Sequence, residues 1–241
     1  MIKKTKAICY GIGVGPGGHE GITLAAVTLL KKINIIVVFC KKGMPSRSKK
    51  IAQPFLGKRK HITFINYPLV MAPRHTNNLV AYEKLIPHIT KYLDDGKNVA
   101  VLCEGDPLFY GSFQYVMQLL PEKYTTKIIP AVTSPHMASA KSKISLGLGK
   151  DNLCFISAAS DSKNIINLLK TTDKAVIIKL GSSFKKIKSI LKKLNLIDNA
   201  TLCIELNRAD EKILQLKNWQ GDTVPYFSLI IIDKKKHKNN V

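Results

Sequence analysis

The stretch Asn98-Val-Ala-Val-Leu-Cys-Glu-Gly-Asp-Pro107 decides the fold class of this chain. Its residues 99–103 form a continuous apolar run, which is typical of a strand covered on both faces of a sheet. Gly105 and Pro107 then end the strand and force the chain to turn. Because open α/β sheets bind ligands at the carboxyl ends of their strands, this turn is a candidate binding site.

Apolar runs of the same kind lie on both sides of this stretch and alternate with segments of helical spacing. We predict strands at 7–12, 33–39, 61–67, 98–103, 126–129, 153–157, 175–179 and 201–205. We predict helices at 22–32, 49–56, 78–93, 113–120, 165–169 and 184–194, and another from Met137 onward. Strands interleaved with helices indicate an α/β fold with a largely parallel sheet.

The pattern divides the chain into two α/β domains. The first covers residues 1–130 and carries a glycine-rich loop and the Gly-Asp-Pro turn, and the second covers residues 131–241. Two late strands of the second domain, 212–216 and 226–232, have no predicted helix between them and are expected to be antiparallel. The basic tail at 234–240 is expected to be frayed.

The composition is that of a globular protein. The 241 residues are 45% hydrophobic and 7% aromatic, which is enough to bury a core. No run approaches the roughly 18 consecutive apolar residues of a membrane helix. The basic N-terminal residues lead into a strand broken by glycines instead of a secretory signal, so we expect a cytosolic protein. Five widely spaced cysteines without a Cys-x-x-Cys pair predict structural thiols and no bound metal.

The charge is the unusual feature of the composition. A formal net charge of +22 comes from 38 Lys and Arg against 16 Asp and Glu. Such an excess suggests a nucleic acid, an anionic membrane surface or an acidic substrate as partner. Most of it is lysine scattered over predicted surfaces, as in a lysine-rich proteome. Because aromatics are sparse and no nucleic-acid motif is found, we expect neither nucleic acid nor membrane as partner, with an RNA-binding protein or RNA methylase as the alternative.

The glycine-rich loop Gly11-Ile-Gly-Val-Gly-Pro-Gly-Gly18 follows the first predicted strand and precedes a helix. Glycines permit a ligand to approach the backbone closely, and a helix N-terminus favours negative charge. Pro16 interrupts the spacing of a dinucleotide fingerprint, and the next strand ends in Cys40-Lys-Lys42 without an acidic residue, so a nicotinamide dinucleotide is not expected. By itself the loop fits a tight strand-to-helix turn equally well.

A third loop, Pro130-Ala-Val-Thr-Ser134, follows the fifth predicted strand. Like the other two loops, it lies at the carboxyl end of a strand, where ligands bind. Its two hydroxyls are suited to a ligand or to capping the following helix, and capping is the default for Ser134.

Together the three loops resemble the tetrapyrrole methylases, which methylate uroporphyrinogen III and corrin precursors with S-adenosylmethionine. The resemblance covers about residues 7–232. It is carried by Gly13-Val-Gly-Pro-Gly17 with Thr23-Leu24, Gly105-Asp-Pro-Leu-Phe-Tyr110, Pro130 with Val132-Thr-Ser134, and Pro225-Tyr-Phe-Ser-Leu229. The second and last motifs are similar to the subgroup that methylates carbon 20 of precorrin-2 or cobalt-factor II. Another tetrapyrrole methylase of that pathway is the alternative.

The resemblance implies two α/β domains with the cofactor cleft between them. The cofactor-binding residues that it implies are Pro16, Glu104, Gly105, Asp106, Phe109, Thr133, Ser134, Leu180 and Asn207. It also implies a small polycarboxylate tetrapyrrole as substrate and, as is common in the family, a homodimer. Tyr110 is the candidate for contact near the reacting carbon, and it fits packing on the turn equally well.

The eight carboxylates of the family's substrate give a reason for basic residues on loops near the predicted site. The candidates are Lys41, Lys42, Arg47 and Arg74. The two arginines are favoured because a guanidinium pairs bidentately with a carboxylate.

The sequence departs from the family pattern at three positions. Gly18 stands where the family usually has Asp, and Ala131 stands for the Gly of Pro-Gly-x-Thr. These two departures leave a binding-only pseudoenzyme as a third interpretation. Ser112 replaces the Arg that follows the Gly-Asp-Pro motif of uroporphyrinogen methylases, so their acid–base scheme is not transferred.

Overall fold

The computed structural model describes residues 6–59, 61–69 and 75–235, with the backbone alone for residues 75–78. The chain forms two compact units, Met1–Thr133 and Ser134–Val241. Each unit contains a five-stranded sheet and helices, so the predicted α/β class is confirmed. Among the described residues, no helix has both the length and the apolar character needed to cross a bilayer.

The first unit is built around a parallel sheet. Its strands are β1 (Ile8–Gly13), β2 (Ile35–Cys40), β3 (Thr63–Pro68), β4 (Val99–Cys103) and β5 (Thr125–Ile129). Its helices are α1 (Leu24–Leu30), α2 (Arg47–Ala52), α3 (His75–Glu83), α4 (Ile86–Asp94) and α5 (Phe113–Leu119), with a 3-10 turn at Gln53–Phe55. The strand order is β3-β2-β4-β1-β5, and the parallel pairing places all five carboxyl ends at one edge.

Both faces of this sheet are buried, which explains the continuous apolar run that marks β4 in the sequence. Val99, Val101 and Cys103 pack in the cluster that contains the apolar residues of α4 and α5. Ala100 and Leu102 point to the other face and pack with residues of α1 and α2. Alternate residues of one strand therefore belong to two separate cores.

The single helix predicted at 78–93 is wrong, because the segment forms two helices, α3 and α4. Pro87 lies in the first turn of α4, where its missing N–H breaks no helical hydrogen bond. If α3 continued, the proline ring would clash with the carbonyl of Glu83. The chain turns instead, with the N–H of Leu85 donating to the carbonyl of Tyr82 at 2.9 Å.

The second unit is built around a mixed sheet. Its strands are β6 (Leu153–Ser157), β7 (Lys174–Ile178), β8 (Ala200–Ile204), β9 (Lys212–Gln215) and β10 (Ser228–Asp233). Its helices are α6 (Ser134–Ser142), α7 (Ser162–Thr171) and α8 (Phe184–Lys193), with 3-10 turns at Gly181–Ser183, Ile197–Asn199 and Leu216–Asn218. The strand order is β6-β7-β10-β8-β9.

In the second unit the late strands are antiparallel, as expected, although they pair with β8 instead of with each other. β9 and β10 lie on opposite sides of β8, and β10 also pairs antiparallel with β7. The loop from β8 to β9, residues 205–211, is shorter than the dozen or so residues that a parallel crossover requires. The prediction of a largely parallel sheet therefore holds for the first unit and is wrong for the second.

Candidate functional site

The loops that follow β1 and β4 are joined by backbone hydrogen bonds. The N–H of Gly15 donates to the carbonyl of Gly105 at 3.3 Å, and the N–H of Gly105 donates to the carbonyl of Gly15 at 2.9 Å. Both residues have a positive φ, 77° and 76°, which favours glycine. A Cβ on Gly15 would lie 2.5 Å from the backbone of Gly21. The glycine motif therefore gives this edge of the sheet its shape.

The loop after β5 joins the same assembly. The N–H of Val132 donates to the carbonyl of Gly21 at 3.1 Å, and the hydroxyl of Thr23 donates to the carbonyl of Pro130 at 3.2 Å. The Thr23 hydroxyl also accepts from the N–H of Ala26 at 3.3 Å and so caps α1. The structure thus brings together all three loops that the sequence singled out, and Thr23, which was not predicted as a site residue, links two of them.

Asp106 orders the turn after β4. Its Oδ1 accepts from the N–H groups of Leu108 at 2.8 Å and Phe109 at 3.1 Å, and its Oδ2 accepts from the N–H of Ala131 at 3.1 Å. Hydrogen bonds from backbone N–H groups to a carboxylate are charge-assisted and strong. In this structure the carboxylate holds the protein's own loops together, and its predicted contact with a cofactor stays a prediction.

Tyr110 lies at the tip of the same turn. Its φ is 54°, the residue is 45% exposed, and its ring meets the ring of Phe109 edge-on with centroids 5.1 Å apart. A left-handed backbone in a residue that has a Cβ costs about 1–3 kcal/mol, and such residues cluster at ligand sites. Tyr110 therefore combines a left-handed backbone with a surface that is nearly half exposed, and its contact with a substrate stays a prediction.

Arg47 and Glu104 form an ion pair at this edge. The Nε of Arg47 lies 3.1 Å from the Oε2 of Glu104, and the two side chains are 26% and 17% exposed. Arg47 begins α2 after the loop that follows β2, whereas Glu104 directly follows the neighbouring strand β4. The sequence assigned one residue to the substrate and the other to the cofactor. It gave no sign of their contact, because they lie far apart along the chain.

The other basic residues predicted to bind substrate belong to two loops. Lys41 and Lys42 directly follow β2 and are exposed. Because β2 and β4 are parallel neighbours, these lysines lie at the same edge of the sheet as Glu104. Arg74 lies outside the described residues. Pro16, predicted to lie against the cofactor, is buried in the loop after β1.

The cofactor residues predicted near and beyond Thr133 have different environments. Helix α6 begins at Ser134, earlier than predicted, so Ser134 lies in its first turn and Thr133 precedes the helix. Leu180 is fully buried in the core of the second unit, and its predicted contact with a cofactor stays a prediction. Asn207 follows β8 with a φ of 59°, and its N–H donates to the Oε2 of Glu211 at 2.6 Å.

Two further strand ends of the second unit carry strained residues that the sequence did not single out. Lys179 follows β7 with a φ of 58°, and burial lowers the pKa of its ammonium group. Glu205 follows β8 with a φ of 46°, and its Oε2 lies 3.2 Å from the Nε of Arg208. Lys and Glu have no preference for the left-handed region, so no residue type marked these positions.

The thiols have structural surroundings. Cys9, Cys103 and Cys203 are buried, and burial raises the pKa of each thiol to about 12. They therefore stay protonated at neutral pH and are poor nucleophiles. Within the described part of the chain, no group of three or more His, Cys, Asp or Glu side chains is arranged to hold a metal ion.

A groove of about 420 Å³ lies at the opposite, amino edge of the first sheet. It is lined by Lys32, Ile33, Asn34, Ile35, His61, Thr63, Tyr92, Lys97 and Asn98. Several of its polar groups already form hydrogen bonds or ion pairs with other residues of the protein. The Oδ1 of Asn34 accepts from Arg59, the Oδ1 of Asn98 accepts from the N–H of Ile8, and Lys97 pairs with Asp95. The carboxyl edge, with its interlocked loops, is therefore the candidate site.

Comparison with known proteins identifies a family and related proteins. The family model of the Tetrapyrrole (Corrin/Porphyrin) Methylases matches residues 9–218. Cobalamin biosynthesis protein CobIJ of Mycobacterium bovis is 28% identical over 229 residues, which cover 92% of this chain. The chain spans 45% of the length of that relative. The probable cobalt-precorrin-2 C(20)-methyltransferase of Methanocaldococcus jannaschii is 30% identical over 201 residues, covering 83% of this chain and 80% of that protein.

A solved structure shares the fold. The uroporphyrin-III C-methyl transferase of Thermus thermophilus, complexed with S-adenyl homocysteine, matches with a TM-score of 0.66. The match covers 95% of this chain and 99% of the other at 17% sequence identity. At that identity the likeness concerns the fold alone.

Proposed function

Because the chain belongs to the tetrapyrrole (corrin/porphyrin) methylase family, we propose that it methylates carbon 20 of precorrin-2 or cobalt-factor II in cobalamin biosynthesis, using S-adenosylmethionine. The choice of carbon 20 is supported by the name of the relative that is 30% identical over four-fifths of its length. Another tetrapyrrole methylase of the same pathway is the alternative.

The observation that carries the proposal is the interlocking of three loops at one edge of the parallel sheet. Gly15, Gly105 and the carboxylate of Asp106 hold the loops after β1, β4 and β5 in one arrangement. The turn leaves room for a ligand, because a Cβ added to Gly105 would meet no atom within 4 Å. Backbone groups beside such a space are suited to the polar end of a cofactor.

The same edge suits a flat polycarboxylate ring. Leu108 and Tyr110 are 44% and 45% exposed there and offer apolar surface. Lys41, Lys42 and Arg47 lie on the neighbouring loop and helix and offer positive charge. An apolar macrocycle that carries carboxylates fits both kinds of surface. A structured RNA also fits the positive charge, and it is therefore included in the test below.

The chemistry requires alignment more than acid–base catalysis. S-adenosylmethionine supplies an electrophilic methyl group to an electron-rich ring carbon. Within the proposal, the residues that hold the cofactor are those that the family resemblance implies, with Leu180 contributing through its backbone: Pro16, Glu104, Gly105, Asp106, Phe109, Thr133, Ser134, Leu180 and Asn207. Tyr110 contacts the substrate near the reacting carbon, and the loops exclude water and fix the line of approach.

The test is methyl transfer from labelled S-adenosylmethionine. We expect label in precorrin-2 or cobalt-factor II, with carbon-13 NMR locating it at carbon 20, and none in structured RNA. Label at another ring carbon would identify a different tetrapyrrole methylase. Label in RNA and never in a tetrapyrrole would overturn the proposal, and cofactor binding without any turnover would favour a binding-only protein. Assaying both substrates side by side also tells whether cobalt is present in the ring at this step.

The cytosolic location and the homodimer stay predictions. Light scattering coupled to gel filtration measures the second of them directly.

A further inference from the structure

The second unit carries a layer of two helices, α7 and α8, on one face of its sheet. The apolar residues of both helices pack in one core with residues of β6, β7, β8 and β10. The two helices also pack against each other. Because β6, β7 and β8 run in the same direction, α7 and α8, which connect them, run side by side in the opposite direction. Their outer sides therefore form one continuous surface.

The outer side of each helix carries the same pattern of residues, a lysine, a small polar residue and a second lysine at positions i, i+4 and i+7. This spacing places the three residues on one side of a helix, away from the apolar stripe that packs in the core. All six residues are exposed. They are Lys163, Asn167 and Lys170 of α7 and Lys185, Ser189 and Lys192 of α8.

The lysines on the flanks of α8 differ from these outer lysines, because they bind the protein itself. The Nζ of Lys186 donates to the carbonyl of Ser160 at 2.7 Å, and the Nζ of Lys188 donates to the carbonyl of Gly221 at 3.0 Å. The side chains of the four outer lysines form no ion pair or hydrogen bond with any residue that the structure describes.

No acidic residue offsets the charge of the outer lysines from within the two helices. Acidic residues at i+3 or i+4 commonly pair with lysines on an exposed helix, and neither α7 nor α8 contains one. The nearest carboxylate along the chain, that of Asp161, caps α7 by accepting from the N–H groups of Lys163 and Asn164. Four positive charges therefore face outward on one surface, which we call the lysine surface and which consists of Lys163, Lys170, Lys185 and Lys192.

The spacing of the four charges suits a flat partner. Seven residues of helix separate the two lysines of each helix by about 10 Å, and packed helices lie about 8–10 Å apart. The four ammonium groups thus lie roughly at the corners of a square with sides of about 10 Å. Since the Debye length is about 8 Å at physiological ionic strength, only a partner that comes close to the whole surface is attracted by all four.

The residue types favour a lipid surface as this partner. A lysine ammonium is a point charge on a flexible stem, which suits diffuse attraction to anionic headgroups. The lysine surface has no aromatic ring on which a base could stack and no arginine fork for a phosphate or base edge. A second copy of the chain carries the same net charge of +22 and would be repelled. Because no apolar residue stands at the six outer positions, the contact is electrostatic and does not involve insertion.

We propose that the lysine surface of α7 and α8 attaches the protein reversibly to an anionic lipid membrane. We expected no membrane partner because the lysines are scattered along the sequence, whereas the fold brings these four to one surface. The attachment does not require the proposed methyl transfer, so each is tested without the other.

The experiment measures binding of the full chain to vesicles of phosphatidylcholine with phosphatidylglycerol, and to vesicles of phosphatidylcholine alone, by sedimentation. One variant replaces Lys163, Lys170, Lys185 and Lys192 by Gln, and a second replaces the same four by Arg. The matched control replaces four exposed lysines of separate segments of the first unit by Gln, and so loses the same charge. The control positions are Lys31, Lys58, Lys84 and Lys127. Thermal unfolding checks that each variant is folded.

We expect the wild type to bind the anionic vesicles and not the neutral ones, and to be released at high salt. A lysine near an anionic membrane contributes about fivefold to the partition coefficient, so the four-glutamine variant should lose about 500-fold. The control variant should lose less than about fivefold, because its lysines do not share a surface. The four-arginine variant should bind within about threefold of the wild type, because it keeps the charge.

Three results would overturn the proposal. Equal losses in the four-glutamine variant and the control would mean that net charge alone attracts the protein to lipid. Equal binding to anionic and neutral vesicles would mean that the lysines do not carry the attachment. The third result comes from a duplex RNA titrated at the same salt by fluorescence anisotropy. If the wild type binds RNA more tightly than anionic vesicles, and the four-glutamine variant loses that binding, the lysine surface recognises nucleic acid.

Discussion

The carboxyl edges of the two sheets are shaped by different means. In the first unit, glycines supply the left-handed backbone, and hydrogen bonds such as Gly15 to Gly105 join the loops. In the second unit, non-glycine residues adopt the left-handed backbone, and ion pairs such as Arg208 to Glu205 and Lys141 to Glu211 lie beside these residues. At the first edge Tyr110 is therefore the one non-glycine residue with a left-handed backbone among the described residues, whereas the second edge has three, Lys179, Glu205 and Asn207.

The non-glycine residues with a left-handed backbone lie at two kinds of position, helix ends and strand ends. The described residues include six non-glycine residues with positive φ, namely Tyr110, Lys143, Lys179, Asn195, Glu205 and Asn207. Lys143 and Asn195 follow helices α6 and α8, where a left-handed residue is a common way to end a helix. The other four follow carboxyl ends of strands, where α/β proteins bind ligands. Strained residues cluster at functional sites, so these four positions are candidates for a functional role.

The largest expected effect concerns the carboxyl edge of the first sheet. Gly15→Ala puts a Cβ 2.5 Å from the backbone of Gly21 at a φ of 77°, and we expect a loss of about 3 kcal/mol in unfolding free energy. Affinity for S-adenosylhomocysteine should also fall, since the loop must move. Gly43→Ala is the matched control. Its φ is 76° with no atom within 4 Å of the added Cβ, so we expect about 1 kcal/mol and unchanged ligand affinity.

Urea unfolding and titration calorimetry measure both quantities. Equal losses in Gly15→Ala and Gly43→Ala would mean that the left-handed backbone alone accounts for the cost. The close approach of Gly15 to Gly21 would then make no measurable contribution to the unfolding free energy.

The next effect concerns the hydrogen bonds that fix the first edge. Asp106→Asn replaces one acceptor oxygen by an NH2 group opposite backbone N–H donors, so we expect a loss of about 2 kcal/mol in unfolding free energy. Asp222→Asn is the control, because Asp222 is 67% exposed in a surface ion pair and should cost less than about 0.5 kcal/mol. If Asp106→Asn is as stable as its control in urea unfolding, the carboxylate does not anchor the loops after β4 and β5.

The contrast also explains which parts of the site the sequence could predict. Glycine is the default residue for a left-handed turn, so a glycine motif after an apolar run marks the first edge directly. The resemblance to a family then supplied the residue roles. Lys179 and Glu205 have no such signature, because their backbone is set by the tertiary structure. The ion pair of Arg47 with Glu104 could not be predicted for another reason, because it joins residues from distant parts of the sequence.

The fold shows the same limit. Apolar runs and turn residues predicted every strand of the first sheet to within about two residues. The runs are clearest in the inner strands β1, β2 and β4, which are largely buried, whereas the edge strands β3 and β5 are partly exposed. The insertion of β10 between β7 and β8 depends on pairings that no local pattern encodes. Pro87 marks the break between α3 and α4 in the sequence, but the helical spacing of apolar residues on both sides of it predicted one continuous helix.

A smaller effect tests the ion pairs of the second edge. Burial acts to raise the pKa of Glu211, but hydrogen bonds from Lys141 and from the N–H of Asn207 lower it below the ordinary carboxyl value. Because the folded pKa is depressed, this stabilisation is present above the ordinary pKa and is lost as pH falls through the folded value. We expect Glu211→Gln to cost about 1 kcal/mol at pH 7 and less at pH 3.

Trp219, the single tryptophan of the chain, lies in the second unit and reports its unfolding by fluorescence. Asp198→Asn is the control, since Asp198 is 69% exposed in a surface pair with Lys217. A cost for Glu211→Gln that is the same at both pH values would mean that packing, and not charge, connects Glu211 to its partners.

The smallest effect on stability separates strain from side-chain function at the second edge. Lys143→Gly and Lys179→Gly both place glycine at a left-handed position, with φ values of 56° and 58°. We expect Lys143→Gly to gain about 1 kcal/mol in unfolding free energy, because Lys143 is exposed and only strain is relieved. Lys179→Gly should change the unfolding free energy by about 0.5 kcal/mol or less, because the lost packing of the half-buried side chain offsets the relief of backbone strain. Methyl transfer should fall in Lys179→Gly alone, and full activity there would remove the functional meaning of strain at this strand end.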